Sequence, residues 1–421
     1  MNEVLLNNAR HLLLSNTVEK NVFLNGEKSK IIYTAPSPGT YDQQWFWDSC
    51  LHSLVWMKLG EKDRAFQELE SLMIGKGKKE FFPHMIFWKL KKDIYWRLFD
   101  KLYLTERYSE IIQPPIIGYS LKCLKNAGIR KKELGPISEE VLTYYTYILK
   151  ERDPEDMGLI SIVHPWESGL DSSPSFDLDL EKKKFLKFHQ WKRMRSLLKE
   201  FHVLNWNQRR MAQESSFRVK CILTNTLLAW GMEAFANLLE EMNRTDEAYE
   251  LREKIDRIWH SFLRYCWNEK DGLFYNLEMK KGGFDQIRTN TISSLLPLLL
   301  DIPADIKDRL VEHIIDKTEY WARYPIPTVA MTEKSFNPSN NSLLWRGPTW
   351  INTNFFIWLG LKKHKEAKLA NELAKRTTDL VQKSGFREFY NPLSGDGGGT
   401  KNFGWSTLVL LMEEHTEILF R

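Results

Sequence analysis

The chain has 421 residues, and its 60 Lys and Arg stand against 55 Asp and Glu, for a net charge of +5. That near-balance gives no electrostatic footprint for nucleic acid, while a hydrophobic fraction of 43% is enough for a large core. Four scattered cysteines (Cys50, Cys123, Cys221, Cys266), with no Cys-x-x-Cys or Cys/His cluster, argue against a disulfide framework and a metal site, and nothing implies a cofactor.

Taken in chain order, the N-terminal MNEVLLNNARHLLLSN carries an early acid and no basic region, so it reads as an amphipathic helix and not as a secretion signal. Helical periodicity then recurs at 46–59, 61–73, 108–127, 137–151, 217–241, 245–266, 303–317, 350–363, 364–383 and 404–418, beside 2–15 itself. Very short turns join several of these, as at Leu59-Gly60-Glu61-Lys62 and Asn243-Arg244-Thr245, with Gly60 placed as a residue just past a helix end. Only short β-like pieces interrupt, such as Leu273-Phe274-Tyr275. No apolar run approaches the ~18 residues of a membrane span. The expectation is a soluble, cytoplasmic protein with neither membrane nor nucleic acid as partner, and a homo-oligomer is compatible with the sequence.

No linker rich in Pro, Gly or Ser divides the chain. About a dozen helices in hairpin pairs point to a single all-α toroid over 1–421, and the (α/α)6 barrel of six hairpins with loop insertions fits count and length, with a two-domain helical protein as the structural competitor. Helix-to-helix loops at one end would then form a pocket. No internal repeat is visible. Residues 181–210 differ in character, with ten Lys and Arg against Glu181 and Glu200. They read as a solvated amphipathic excursion or, more sharply, as a lid whose cations face an acidic substrate.

The chemistry-bearing segment is Trp166–Asp177, WESGLDSSPSFD. It gathers Glu167, Asp171, Asp177 and, two residues on, Asp179 in a stretch that Gly169 and Pro174 keep from running as a regular helix. A second candidate acid, Glu388, lies far downstream in GFREFYNPLSGDGGG. Two acids on separate loops are the minimum equipment for cutting a glycosidic bond. Tryptophan is unusually frequent, with 16 beside 23 Phe and 15 Tyr, and sugars stack their flat C–H faces on such rings. Tyr41–Ser49, with Trp45, Trp47 and Asp48, and Leu344–Asn354, with Trp345 and Trp350, mix indoles with polar groups at loop-to-helix junctions. Asp48 could accept two sugar hydroxyls or cap the following helix. Gln113-Pro114-Pro115 makes a rigid turn that would fix one amide.

This set resembles glycoside hydrolase family 63, through QWFWDS (44–49), FFPHMIFW (81–88), IQPPI (112–116), WESGLDSSP (166–174), LFYN (273–276), WRGPTWINTNF (345–355), EFYNPLSG (388–395) and NFGWS (402–406), in order along nearly the whole chain. The compact length is most similar to the bacterial mannosylglycerate and glucosylglycerate hydrolases within it. The resemblance implies an (α/α)6 barrel and inverting hydrolysis of a small α-glycoside, with a glycosylglycerate as the favoured substrate and an α-glucoside or disaccharide next. It makes Asp171 the general acid and Glu388 the general base. Tyr41, Trp45, Trp47 and Asp48 would surround the non-reducing sugar, Gln113, Trp345 and Trp350 would line the same pocket, and Arg218 would face the substrate's acidic end. Trp88 and Asn402 join the substrate-binding set from their motifs, although relatives tend to have Gln at the latter.

Inversion needs about 6.5–9.5 Å between the two carboxyls. Asp171 must keep its proton near neutrality, by burial or beside a carboxylate such as Glu167. Arg387 or Tyr390 could support an ionised Glu388. Gly397–Gly399 reads as a loop that shuts over the sugar or as an ordinary exposed loop. Two other readings remain at this level: a sugar-binding barrel without catalysis, and an epimerase, which would call on His52, His84, His164 or His189.

Overall fold

The computed structural model describes residues 3–24, 27–88, 108–180, 185–339, 342–413 and 416. Six of its helical segments are buried almost all round: Phe46–Lys58, Ile117–Asn126, Ile222–Glu241, the 3-10 helix Ile292–Leu299, Ile351–Lys363 and the 3-10 helix Gly404–Leu411. Their sequences demand it. Ile351–Leu361 contains no charged residue, and Phe46–Met57 contains only Asp48 and His52 as titratable polar groups besides Cys50. A helix without a polar face is stable only inside a second layer. Each of the six packs on the next, and the last returns to the first, which closes an inner ring.

The outer layer supplies the polar faces. Lys62–Lys76, Lys131–Glu151, Thr245–Ser261, Ala304–Ile315 and Ala367–Ser384 each follow an inner segment and fold back on it, and Glu3–Asn16 backs the sixth. Ala367–Ser384 shows the logic. It buries Ala370, Leu373, Ala374, Thr377, Leu380 and Val381, spaced by one, three or four so that they form one stripe. Gly60, at φ +80°, ends the first hairpin's inner helix in the left-handed conformation that glycine adopts without steric cost. Six hairpins in two concentric layers make an (α/α)6 barrel. One hydrophobic cluster runs from Leu5 to Met412 through both layers. Among the described residues no helix is long and apolar enough to cross a membrane.

The boundaries depart from periodicity where local chemistry intervenes. The helix expected over 108–127 starts only at Ile117, because Pro114 and Pro115 lack N–H donors and push the preceding residues into extended backbone. Residues 292–299, which contain Pro297, nevertheless form a tight inner turn of helix. Thr17–Leu24 and Glu27–Thr34 form an antiparallel hairpin, pairing Thr17 with Thr34, that periodicity did not signal.

A buried ion pair ties the acid-bearing loop to the barrel. Arg152 and Glu167 are both fully buried, with Nη2 to Oε1 at 2.6 Å and Nη1 to Oε2 at 3.0 Å. Glu167 also accepts the backbone N–H groups of Ile112 (3.0 Å) and Val163 (2.7 Å), so three chain segments meet on one carboxylate. Truncation would leave the guanidinium buried with its charge uncompensated. Glu167→Ala is therefore expected to cost about 3–5 kcal/mol, read from the midpoint of urea unfolding.

Candidate active site

The residues just before the inner segments converge at one end of the barrel, around a cavity of about 390 Å³. Trp45, Trp47 and Asp48 come from the start of Phe46–Lys58, and Gln113 from the turn before Ile117. Trp345 and Trp350 precede Ile351, while Glu388, Phe403 and Trp405 flank the start of Gly404–Leu411. Asp171 comes from the long loop ahead of Ile222.

Asp171 follows a 3-10 turn, Pro165–Ser168, that ends at Gly169 with φ +71°. The Trp47 indole lies where a Cβ on Gly169 would be, 2.5 Å away, so only glycine fits the turn that delivers the acid. Burial pushes the Asp171 carboxyl up to about 6. Its own N–H and the Trp345 side chain partly offset this by hydrogen bonding, and the charge of Glu388 adds to the rise. The neighbouring carboxylate is thus Glu388 and not Glu167, which is spent on Arg152.

Glu388 lies on the strand Arg387–Tyr390, paired with Gly397–Lys401. The register shifts between Arg387 and Phe389, a bulge at the acid itself, and bulges re-aim side chains. Oε1 accepts the Tyr41 hydroxyl at 2.9 Å, and Oε2 accepts the Thr400 N–H at 2.9 Å and its hydroxyl at 3.2 Å. These donors hold the carboxylate, in place of Arg387, whose guanidinium bonds the Gly399 carbonyl at 2.9 Å, and Tyr390, whose hydroxyl bonds the Gly385 carbonyl at 2.7 Å. The three glycines are not a free loop. They form the partner strand, and a Cβ on Gly399 would stand 2.3 Å from Glu388 Oε2.

Asp48 is 3% exposed and is held well above the usual carboxylate range, first by burial and then by Glu68 and Glu388, against bonds from its own N–H and the Trp47 side chain. Gln113 Oε1 accepts the Trp47 N–H at 3.0 Å and so fixes the first turn of the helix that presents Asp48. Around these acids the rings interlock. Trp345 and Trp350 stack at 3.7 Å, with Trp405 edge-on to Trp350 at 5.4 Å and to Trp47 at 5.5 Å. Tyr41 meets Trp45 and Phe403 edge-on.

Tyr41, Trp45, Trp47, Asp48, Gln113, Asp171, Trp345, Trp350 and Glu388 therefore share one cavity, and three other expected residues stand elsewhere. Trp88 lies behind the wall, its indole N–H on Gln44 Oε1 at 2.7 Å. Arg218 bonds the Gln213 carbonyl at 2.9 Å and faces Glu155 at 3.7 Å. Asn402 takes a left-handed turn at φ +54°, and its carbonyl accepts Asn16 Nδ2 at 2.9 Å. Conversely, His84, Trp166, Phe403 and Trp405 line the cavity without having been assigned there, although each sits inside a motif already singled out. Burial pushes His52, His84 and His164 down to about 3, which leaves three neutral imidazoles poorly suited to the proton shuttling of an epimerase. The basic segment is fastened to the acid loop. Gln190, in the helix Leu186–Val203, donates to Asp177 at 2.6 Å, and Arg193 donates to the Phe176 and Asp177 carbonyls. None of the segment's described residues lines the cavity, and residues 181–184 lie outside the described part.

Comparison with known proteins agrees with this geometry. Residues 41–406 match the mannosylglycerate hydrolase MGH1-like glycoside hydrolase domain. The chain belongs to glycoside hydrolase family 63. It is 30% identical to a mannosylglycerate hydrolase of Thermus thermophilus, over 91% of this chain and 97% of that one. With a mannosylglycerate hydrolase of Rubrobacter radiotolerans the identity is 26%, over 90% and 92%. The crystal structure of a family 63 mannosylglycerate hydrolase from Thermus thermophilus with Tris and D-glycerate superposes with a TM-score of 0.84 at 28% identity, covering 97% of this chain and 99% of that chain. The same crystallised enzyme is also known with glucose. The neutral trehalase of Saccharomyces cerevisiae, at 16% identity and a TM-score of 0.62, shares the barrel alone. As a family 63 member the protein is a glycoside hydrolase, and Asp171 and Glu388 both line its aromatic cavity.

Proposed function

We propose that the protein is an inverting α-glycosidase that cleaves a small glycerate α-glycoside, with Asp171 as general acid and Glu388 as general base. The observation that carries this reading is the pairing of two carboxyls in one aromatic cavity under opposite environments. Asp171 is half-buried in the cavity wall, where loss of solvent pushes it up to about 6, whereas Glu388 is surrounded by three donors that suit a carboxylate. Asp171 then gives its proton to the glycosidic oxygen as the bond breaks. Glu388 takes a proton from a water attacking the anomeric carbon from the opposite face. The oxocarbenium-like transition state is electron-poor, and the flanking indoles and carboxylates stabilise it. Asp48 offers an acceptor and the Gln113 Nε2 group a donor to sugar hydroxyls, while Trp47, Trp345 and Trp350 present ring surface.

The glycerate aglycone follows the names of the relatives and the D-glycerate bound to one of them. Four free, buried thiols suit a reducing compartment, and we place the protein in the cytoplasm.

The test is a substrate panel of mannosylglycerate, glucosylglycerate and trehalose, with the product anomer followed by NMR. Release of the β-anomer from a glycerate glycoside is expected, and first release of the α-anomer would overturn inversion. The rate carries a second signature. Catalysis needs Asp171 protonated, so kcat/KM should fall as pH rises through about 6, approaching tenfold per unit beyond it. A profile flat to pH 8 would remove Asp171 from the acid role.

A further inference from the structure

Behind the cavity wall lies a second carboxyl that the mechanism does not use. Glu68, on the Lys62–Lys76 helix, is 1% exposed. Its Oε1 accepts the Thr34 backbone N–H at 2.7 Å, and its Oε2 accepts Ser49 Oγ at 3.0 Å. Ser49 Oγ also receives Gln44 Nε2 at 3.0 Å, and the same nitrogen reaches the Glu68 carbonyl at 3.0 Å. Gln44 Oε1 in turn accepts the Trp88 indole. Every donor in this cage is neutral. Asp48 and Cys50 on the Phe46–Lys58 helix and Tyr33 on the adjoining strand also face Glu68, and none of them is a cation.

A carboxyl buried among neutral donors is costly to keep, and an apolar side chain of similar volume would fill the space without that cost. What the carboxyl does that Leu could not do is accept from two directions at once. One of these lines of contact ends beside the cavity, since Ser49 follows Asp48 and Gln44, which bonds Ser49 Oγ, precedes Trp45, while the other anchors the carboxyl to Thr34 on the strand Glu27–Thr34.

We propose that Glu68 is a positioning residue for the sugar site, clamping Ser49 and, through it, Gln44, so that Asp48 and Trp45 meet the sugar in fixed orientations. This rests on reading the cavity as a glycoside site. Glu68 touches no part of the cavity, so it acts through these neighbours and not on the substrate.

Two substitutions separate positioning from bulk stability. Glu68→Leu keeps the volume and removes both acceptors, whereas Glu68→Gln keeps an acceptor for Thr34. With a glycoside that the wild-type protein turns over, Glu68→Leu should raise KM at least fivefold with kcat within about twofold, and Glu68→Gln should restore KM to within twofold. A folded Glu68→Leu protein whose KM stays within twofold of wild type overturns the proposal. If Glu68→Leu does not fold, Ser49→Ala decides. A KM raised threefold or more supports the clamp, and a smaller change overturns it. A wild-type protein that cleaves no glycoside is a failure of the functional reading alone. Glucose binding by calorimetry then carries the same comparison, with a fivefold weaker Kd in Glu68→Leu expected and anything less than twofold overturning it.

Discussion

Asp171→Asn is expected to lower kcat by roughly 10²–10⁴-fold, the usual contribution of a positioned general acid, while the folded protein still binds sugar. The amide is isosteric, and its oxygen can still accept the bond from the Trp345 side chain, so the cavity should keep its shape. The same change should stabilise the protein. The Asp171 carboxyl is pushed from 3.8 to about 6 on folding. Between those values the unfolded chain has released its proton and the folded chain has not, so stability falls as pH rises through that window and stays lowered above it. Asparagine removes this term. At pH 7 Asp171→Asn should therefore unfold at higher urea, by on the order of 1–3 kcal/mol, with the advantage vanishing near pH 4. A variant that is both inactive and less stable at pH 7 would mean that burial of Asp171 serves structure and not proton donation.

The barrel was legible because its physics is periodic. A helix with no polar face, such as Ile351–Leu361, must sit inside, and a striped one, such as Ala367–Ser384, must cover it. The acid loop was legible for another reason, since Gly169 and Pro174 exclude a regular helix around Asp171. What could not be read were partnerships between distant residues. Tyr41 and Glu388 lie 347 positions apart, and nothing local to either marks the bond between them. Glu167 looked like a neighbour for Asp171 because they are close in sequence, but Arg152 claims it in the fold. The Gly397–Gly399 run shows the same limit. Consecutive glycines usually mean a loose loop, yet here they are small so that Glu388 and Phe389 can lie across them. Arg218 was placed by resemblance to the family, and its guanidinium instead finds the Gln213 carbonyl close by.

Glu388→Gln should lower kcat by a comparable roughly 10²–10⁴-fold, and its second consequence distinguishes it from a simple loss of fit. Both carboxylate oxygens accept from donors: Tyr41 at Oε1, and the Thr400 N–H and hydroxyl at Oε2. The Thr400 N–H cannot turn, so the glutamine oxygen must face it and the amide nitrogen must face Tyr41. That hydroxyl can rotate to accept, so glutamine fits without leaving a buried group unpaired. The geometry survives and the charge does not. Asp171 and Asp48 each feel the Glu388 charge as a force that raises their proton affinity. Removing it should draw the Asp171 carboxyl down from about 6, so the residual activity should begin to fall at a lower pH than in the wild-type protein. The shift is expected to be well under one pH unit, because burial and not Glu388 is the larger cause. Residual kcat/KM measured from pH 4.5 to 8 reads it directly. An alkaline limb that stays in place would separate the two acids electrostatically, and with them the claim that they act across one sugar.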